Sequence, residues 1–463
     1  MRLCRYSDKN PAAWGYLAQT VNLSAGLILL PILGRSLSAE EIGLWFVFNS
    51  VIGLAHLVDF GFQPTIVRNA AFVFSGASSF KKTGLPTAVV SHQKQSQQLL
   101  AELIASCRLI YRWVAGVSAV VLFGAGTAYI SALVPEGMSS LNINIAWVLC
   151  ALGGVVTISS NYMYALLHGI NRYVVVSKNT VLSRGVMLIV AGIGLFTGCG
   201  LVGLGVAVAL SGICARWAGN RALHQHRITR DAFHLSLAVD GRELSVTLWY
   251  NACRLGLVQF STFLVQRCSV FIASSFVGLK AAAGYGVATT IILVLASFAS
   301  VVAQLRMPRI VGLIVEGDTD SLKSVYLETL FLGLGSYFVG LIVLLATVVF
   351  GAGYFNVPLI PVWQLALLGV IYALEINHTI AANVIAASNS IPFVVPSVVS
   401  GLATVCLGFI LVQEFEIFGL IIAQGLVQIA YNNWKWPLVV SRIYGLRWED
   451  VFRFVAGRGK LYG

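Results

Sequence analysis

Charge is what this chain has least of. Only 10% of its 463 residues are Asp, Glu, Lys or Arg, against roughly 25% in soluble domains, and that scarcity excludes an ordinary soluble globular protein. Acids are rarer than bases, 18 to 30, so the surplus is positive. The eight cysteines contain no C-x-x-C pair and no metal-ligand spacing, which argues against a zinc site or a thioredoxin-like centre. Scattered through apolar runs, they read as small packing residues. There is no G-x-x-x-x-G-K-[ST] phosphate loop, so ATP hydrolysis by the usual route is excluded, and no H-E-x-x-H motif. A G-x-S-x-G elbow and a histidine cluster are missing as well. No cofactor is expected.

What the chain has in abundance is apolar length. It is 58% hydrophobic with a mean hydropathy of +0.84. A spanning helix needs about 20 apolar residues, and twelve candidates occur: 12–33, 42–66, 112–133, 145–167, 179–197, 200–217, 247–275, 282–305, 325–350, 359–386, 391–412 and 417–437. The first follows a basic leader (Arg2, Arg5, Lys9), but it is too long for a signal peptide and has no small-residue cleavage site, so it is expected to stay as a helix. The net charge of +12 does not point to nucleic acid, because its distribution follows membrane topology. With a cytoplasmic N-terminus, only Arg35 and Lys280 of the 30 Lys and Arg fall outside, Arg184, Arg254 and Arg267 fall within spans, and the other 25 lie on the inner side. That is the positive-inside pattern for twelve helices with both ends in the cytoplasm. Most of the ten Trp lie near span ends, as an interfacial belt requires. Every expected outer loop is short, which disfavours a membrane enzyme working on sugars outside.

The chain is organised around 33–74. Its sequence predicts one hydrophobic helix entered after a polar turn, Arg35 to Glu41, and its far end carries Asp59, Gly61, Gln63, Pro64 and Arg68. A charge near hydrocarbon costs a few kcal/mol or more unless it is paired or faces water, so a wet cavity or an Asp59–Arg68 pair is expected there. The order L-x-x-x-x-I-G-L-W from Leu37, with Gly43 inside it, followed by D-F-G-F-Q-P-T-I-V-R-N from Asp59, resembles the polysaccharide transporters, the Wzx-type O-unit flippases of the multidrug/oligosaccharidyl-lipid/polysaccharide exporter superfamily. The resemblance runs along nearly the whole chain.

The second half repeats the first. Ile42-Gly43-Leu44-Trp45 matches Ala283-Gly284-Tyr285-Gly286, Gly169-Ile170-Asn171 matches Ala387-Ser388-Asn389, and Gly203-Leu204 with Ala207 matches Gly419-Leu420 with Ala423, in the same order. Repeats meeting at a substrate cavity are how many secondary transporters are built. The expected fold is therefore an all-α integral membrane protein, twelve transmembrane helices in two six-helix lobes around a central cavity. Residues 1–220 form the first lobe, 221–246 a cytoplasmic linker, 247–440 the second lobe and 441–463 a cytoplasmic tail.

The remaining signal is polarity inside the spans. Gly15, Gln19, Asn22 and Gly26 form a small, polar stripe on the first helix, fit either for helix packing or for lining a cavity. Arg254 shares a face with Thr247, Tyr250, Asn251 and Ser261 and is expected to meet an anionic head group, a structural ion pair with Asp59 or Glu375 being the alternative. Arg267 sits among Phe260, Phe263 and Phe271, so snorkelling to the interface rivals a binding role. Glu375, with His378, Thr379 and Gln364 on one broad face, is a candidate proton or cation site; a satisfied inter-helix hydrogen bond is the plainer reading. Glu328 and Arg184 lie near span ends and are expected at the interface.

The resemblance implies binding of an undecaprenyl-pyrophosphate-linked oligosaccharide at the inner leaflet of the bacterial inner membrane and its release at the outer by alternating access. Asp59, Arg68 and Gly61 are the positions it carries over. Membrane lipids and other polysaccharide assembly proteins are the implied partners, and a proton or sodium gradient acting through Glu375 and His378 is the expected energy source. A drug or cation exporter of the same superfamily is the first alternative, and its lumen should rely on carboxylates and aromatics more than on arginines. A membrane-embedded polymerase or ligase is the second.

Overall fold

The computed structural model describes residues 11–59, 61–74, 93–225, 227–351, 357–387 and 392–456, and within them the chain is helical with no β-strand. The helices are α1 (Pro11–Ser36), α2 (Ala39–His56), α3 (Phe62–Phe74), α4 (Gln93–Val120), α5 (Thr127–Leu133), α6 (Ser140–Gly169), α7 (Tyr173–Phe196), α8 (Gly200–Gln225) and α9 (Arg227–Leu235). They continue as α10 (Arg242–Phe276), α11 (Leu279–Glu316), α12 (Thr319–Gly351), α13 (Val362–Ala387), α14 (Val394–Val427), α15 (Asn433–Tyr444) and α16 (Trp448–Val455). π-helical turns at Val121–Gly126 and Gln428–Asn432 join α4 to α5 and α14 to α15.

Eleven stretches among the described residues are long and apolar enough to cross a membrane, the last running from Val394 to Tyr444. Twelve were expected, and a reversal at Glu416 accounts for the difference. Its backbone stands at φ 50°, ψ −130°, and past it Gly419 lies against the backbone of Leu411 and Val412, with Leu420 against Gly408. The two sides of Glu416 thus pack back on each other as a helical hairpin. Gly203, the repeat partner of Gly419, packs in the same way on Gly194 of the preceding helix. Ala207 and Ala423 are both fully buried, so this repeat match marks equivalent positions in the two halves.

The expected single helix over 42–66 is broken. α2 ends at His56, a 3₁₀ turn covers Leu57–Asp59, and α3 starts at Phe62. Gly61 between them has φ 73°, a conformation glycine adopts at little cost, and Pro64 sits in the first turn of α3, where no intrahelical N–H is owed. α4 is helical from Gln93, and residues 75–92 lie outside the described residues. α2 begins with a capping box in which Ser38 Oγ accepts from the Glu41 N–H and Glu41 Oε2 accepts from the Ser38 N–H.

The chain divides into two compact units, Met1–Phe263 and Leu264–Gly463, the boundary falling inside α10. In the first, α6 and α8 form the most extensive helix pair. Gly153 faces the backbone of Val208, Gly205 that of Ala146, and Gly212 that of Gly153, each so closely that a Cβ would come within 2.7 Å. Small residues let membrane helices approach to backbone contact, and here that approach fixes what stands next along the seam, Ser159 on α6 and Arg216 on α8.

Candidate functional site

Asp59 is buried at the break between α2 and α3. Its Oδ1 accepts from the Tyr111 hydroxyl at 2.6 Å, and its Oδ2 accepts from Gln63 Nε2 at 2.7 Å and Asn161 Nδ2 at 3.3 Å. A buried carboxylate is tolerated when its lone pairs are met, and three neutral donors from α3, α4 and α6 meet them. The expected pair with Arg68 does not form. Gly61, at φ 73°, breaks the helix between the two, and Arg68 is exposed on α3.

Tyr111 connects this hub to a cavity of about 490 Å³, within the 300–1,000 Å³ typical of ligand sites. α4 supplies Arg108 and Arg112, one turn apart. α6 supplies Ser159, Tyr162 and Met163, and α8 supplies Arg216 and Asn220. Three guanidinium groups line one chamber, and among the described residues no acidic one does. Arg216 Nη1 donates to Ser159 Oγ at 2.8 Å, a neutral acceptor that leaves the positive charge uncompensated. Such a chamber suits an oxyanion, because the planar guanidinium fork matches phosphate geometry and charge-assisted hydrogen bonds are the stronger kind. Arg108 and Arg112 stand in the half of the apolar stretch Gln97–Leu133 nearer its beginning, and Ser159 and Arg216 in the halves of Ser140–Gly169 and Gly200–Gln225 nearer their ends. The cavity therefore lies toward one end of these helices.

That end is where α9 is tied down. The Arg108 guanidinium lies 4.8 Å over the Phe233 ring, and its Nη1 donates to Ser236 Oγ at 3.4 Å. Ser106 Oγ donates to the Gly241 carbonyl at 2.8 Å, with Gly241 so close to the Ser106 backbone that no side chain fits. Phe233 of segment 227–241 thus lines the arginine chamber.

A second polar cluster lies in the other unit. Glu375 Oε1 accepts from Gln266 Nε2 at 3.4 Å, while its Oε2 is buried and poorly met. Gln424 stands beside the same carboxylate and near Tyr372, and His378 Nδ1, one turn on, is buried and near the Leu374 backbone, none of these atoms making a hydrogen bond of good geometry. Tyr285 and Tyr372, nearly fully buried, complete the surroundings, and Tyr372 is in electrostatic reach of both Glu375 and Arg267. Buried polar atoms so poorly met are rare enough to need a reason, and an ion or proton site is one.

The other sequence-selected positions are dispersed. Gln19 and Asn22 are exposed on α1, Arg267 is half-buried in α10 and Gly43 is buried in α2. Arg254 is a helical residue of α10 whose side chain lies outside the described residues. Glu328 forms a 2.6 Å ion pair with Arg306. Arg108, Arg112 and Arg216 were read from the sequence only as inner-side charges. The signal that could have marked them is phase: Arg108 and Arg112, like Arg216 and Asn220, recur at i, i+4, on one helix face.

No protein-family model matches the sequence, and no curated protein does. Solved structures of transporters do match. An inward-facing multidrug resistance MATE family transporter of the MOP superfamily aligns with a TM-score of 0.67 at 15% identity, over 92% of this chain and 96% of that one. An outward-facing transporter of the same description gives 0.58 at 16%, over 96% and 94%. A mutant of a Vibrio cholerae MATE transporter gives 0.60 at 13%, over 96% and 97%. The structural neighbours are thus MATE family transporters, and the chain shares their fold as a multi-pass membrane protein.

Proposed function

We propose that this protein is an alternating-access flippase for a lipid-linked oligosaccharide carrying a pyrophosphate, working in the bacterial inner membrane with both termini cytoplasmic. The observation that carries the reading is the chamber of Arg108, Arg112 and Arg216 with no acid among the described residues of its lining. Taking a sugar's polar groups and a pyrophosphate through hydrocarbon costs several kcal/mol per unsatisfied group, and a wet chamber with fixed cations removes that barrier. The charge bias of the loops supports a cytoplasmic mouth for it, where the lipid head group is loaded. The resemblance carried by Leu37–Trp45 and by the segment from Asp59 points to the same substrate class, and polysaccharide assembly proteins would then receive the product. In the absence of a phosphate loop, Glu375 and His378 are proposed as the link to a proton or sodium gradient.

Export of cationic drugs is the second reading, favoured by the multidrug MATE transporters among the structural neighbours and by Glu375 set among buried tyrosines. One pair of assays separates the two. Expression in a flippase-null strain should restore surface polysaccharide and leave ethidium accumulation unchanged. Normal membrane expression with no polysaccharide and lowered ethidium accumulation would replace the flippase reading with the drug exporter.

A further inference from the structure

The C-terminal end of the second unit holds a feature apart from the residues of the Glu375 cluster. α16 follows α15 across Gly445, whose φ of 67° turns the chain. Its sequence, WEDVFRFV, places Val451 and Phe454 inward, Phe454 stacking on Phe331 of α12 with ring centroids 5.5 Å apart. On the adjoining strip Trp448, Phe452 and Val455 are 79%, 71% and 65% exposed, with Glu449 and Arg453 further round the helix. An apolar strip beside a charged one on a short helix is the signature of a segment lying in a membrane interface.

Beneath α16, between it, α12 and α15, runs an apolar groove of about 490 Å³. Leu330, Phe331 and Leu438 form its floor, Trp434 and Trp448 stand at its sides and Arg447 lines it. The groove lies at the first turns of the apolar stretch Thr319–Phe350 and at the last turns of Val394–Tyr444, which is the depth where hydrocarbon gives way to head groups. Lys435, Arg442, Arg447 and Arg453 outnumber Glu449 and Asp450 on the surrounding segments, and basic residues at this depth attract anionic lipid. We infer that this groove seats one anionic phospholipid of the surrounding leaflet, an acyl chain along Leu330 and Leu438 and its phosphate at Arg447. The groove shares no lining residue with the arginine chamber.

The test uses the full chain purified from mixed micelles of equal phosphatidylglycerol and phosphatidylcholine, with retained lipid counted by native mass spectrometry. Wild type should retain one phosphatidylglycerol in preference to phosphatidylcholine. Leu438→Trp, which fills the groove from a side chain already 45% exposed, should lose that lipid while keeping the wild-type melting temperature. Arg447→Gln should keep a lipid but lose at least fivefold of the head-group preference. Equal retention of the two lipids by wild type, or undiminished phosphatidylglycerol on a folded Leu438→Trp, would overturn the proposal. So would displacement of the retained lipid by stoichiometric undecaprenyl phosphate, which would make the groove a seat for the prenyl tail.

Discussion

The hydroxyl of Tyr111 donates to Asp59 Oδ1 at 2.6 Å, and the ring of the same residue lines the arginine chamber. A buried carboxylate at a helix break thus sets the position of a wall residue in the site. Tyr111→Phe removes the donor and leaves Asp59 Oδ1 unmet. Loss of a buried hydrogen bond is worth roughly 1–2 kcal/mol in such settings. The variant should melt several degrees lower in detergent and bind inorganic pyrophosphate more weakly than wild type. If both quantities are unchanged, Asp59 does not organise the chamber.

Arg216 is held by Ser159 at the end of the glycine seam between α6 and α8. Removing one guanidinium from an oxyanion costs about 1.5–3 kcal/mol, so Arg216→Ala should weaken pyrophosphate binding roughly 10- to 100-fold by titration calorimetry, with a shallower salt dependence. Arg216→Lys should recover part of the affinity, because the charge is kept and the fork is not. Ser159→Ala, which removes only the neutral acceptor, should fall well short of either. Equal affinity of Arg216→Ala and wild type would remove Arg216 from the anion site.

The Arg108 guanidinium is shared between the chamber and the ring of Phe233. An exposed cation–π contact is worth about 0.5–1 kcal/mol and a desolvated one about 2. Phe233→Ala should therefore loosen segment 227–241, seen as faster amide hydrogen exchange there, while pyrophosphate affinity rises or holds because Arg108 is released to the anion. Unchanged exchange rates would show that the ring does not anchor the segment.

The parts of this molecule that were legible in the sequence are those where burial and charge conflict. Long apolar runs marked the spans, and the two carboxylates Asp59 and Glu375 stood out because hydrocarbon penalises them. The arginine chamber was not legible on those terms. Arg108, Arg112 and Arg216 lie within a few turns of span ends, where positive charge is already explained by topology, and only the convergence of α4, α6 and α8 distinguishes a chamber from a charged rim. The break at Gly61 was hidden for a related reason: Phe60, Phe62 and Ile66 keep the segment apolar across the turn, so hydropathy alone runs straight through it. The Gly419 repeat match carried more than pattern, since its backbone contact with Leu411 is what allows the hairpin at Glu416.

Glu375 provides the last prediction. Its Oε2 is buried and poorly met: Gln266 donates to the carboxylate only at the 3.4 Å limit of a hydrogen bond, and Gln424 stands beside it. If the group were there for structure, Glu375→Gln would keep shape and acceptor and transport would be nearly normal. If it takes up a proton or a cation during the cycle, the amide removes the carboxylate charge that the gradient acts on, and a gradient could no longer bias one conformation over the other. The expected outcome is a folded Glu375→Gln protein with wild-type melting temperature and pyrophosphate affinity, whose flipping of a fluorescent lipid-linked oligosaccharide in proteoliposomes no longer responds to an imposed pH or sodium gradient. His378→Ala should retain the sodium response and lose the pH response if the histidine relays protons, and lose neither if it is a bystander. A Glu375→Gln variant that follows the gradients as wild type does would place the coupling site elsewhere.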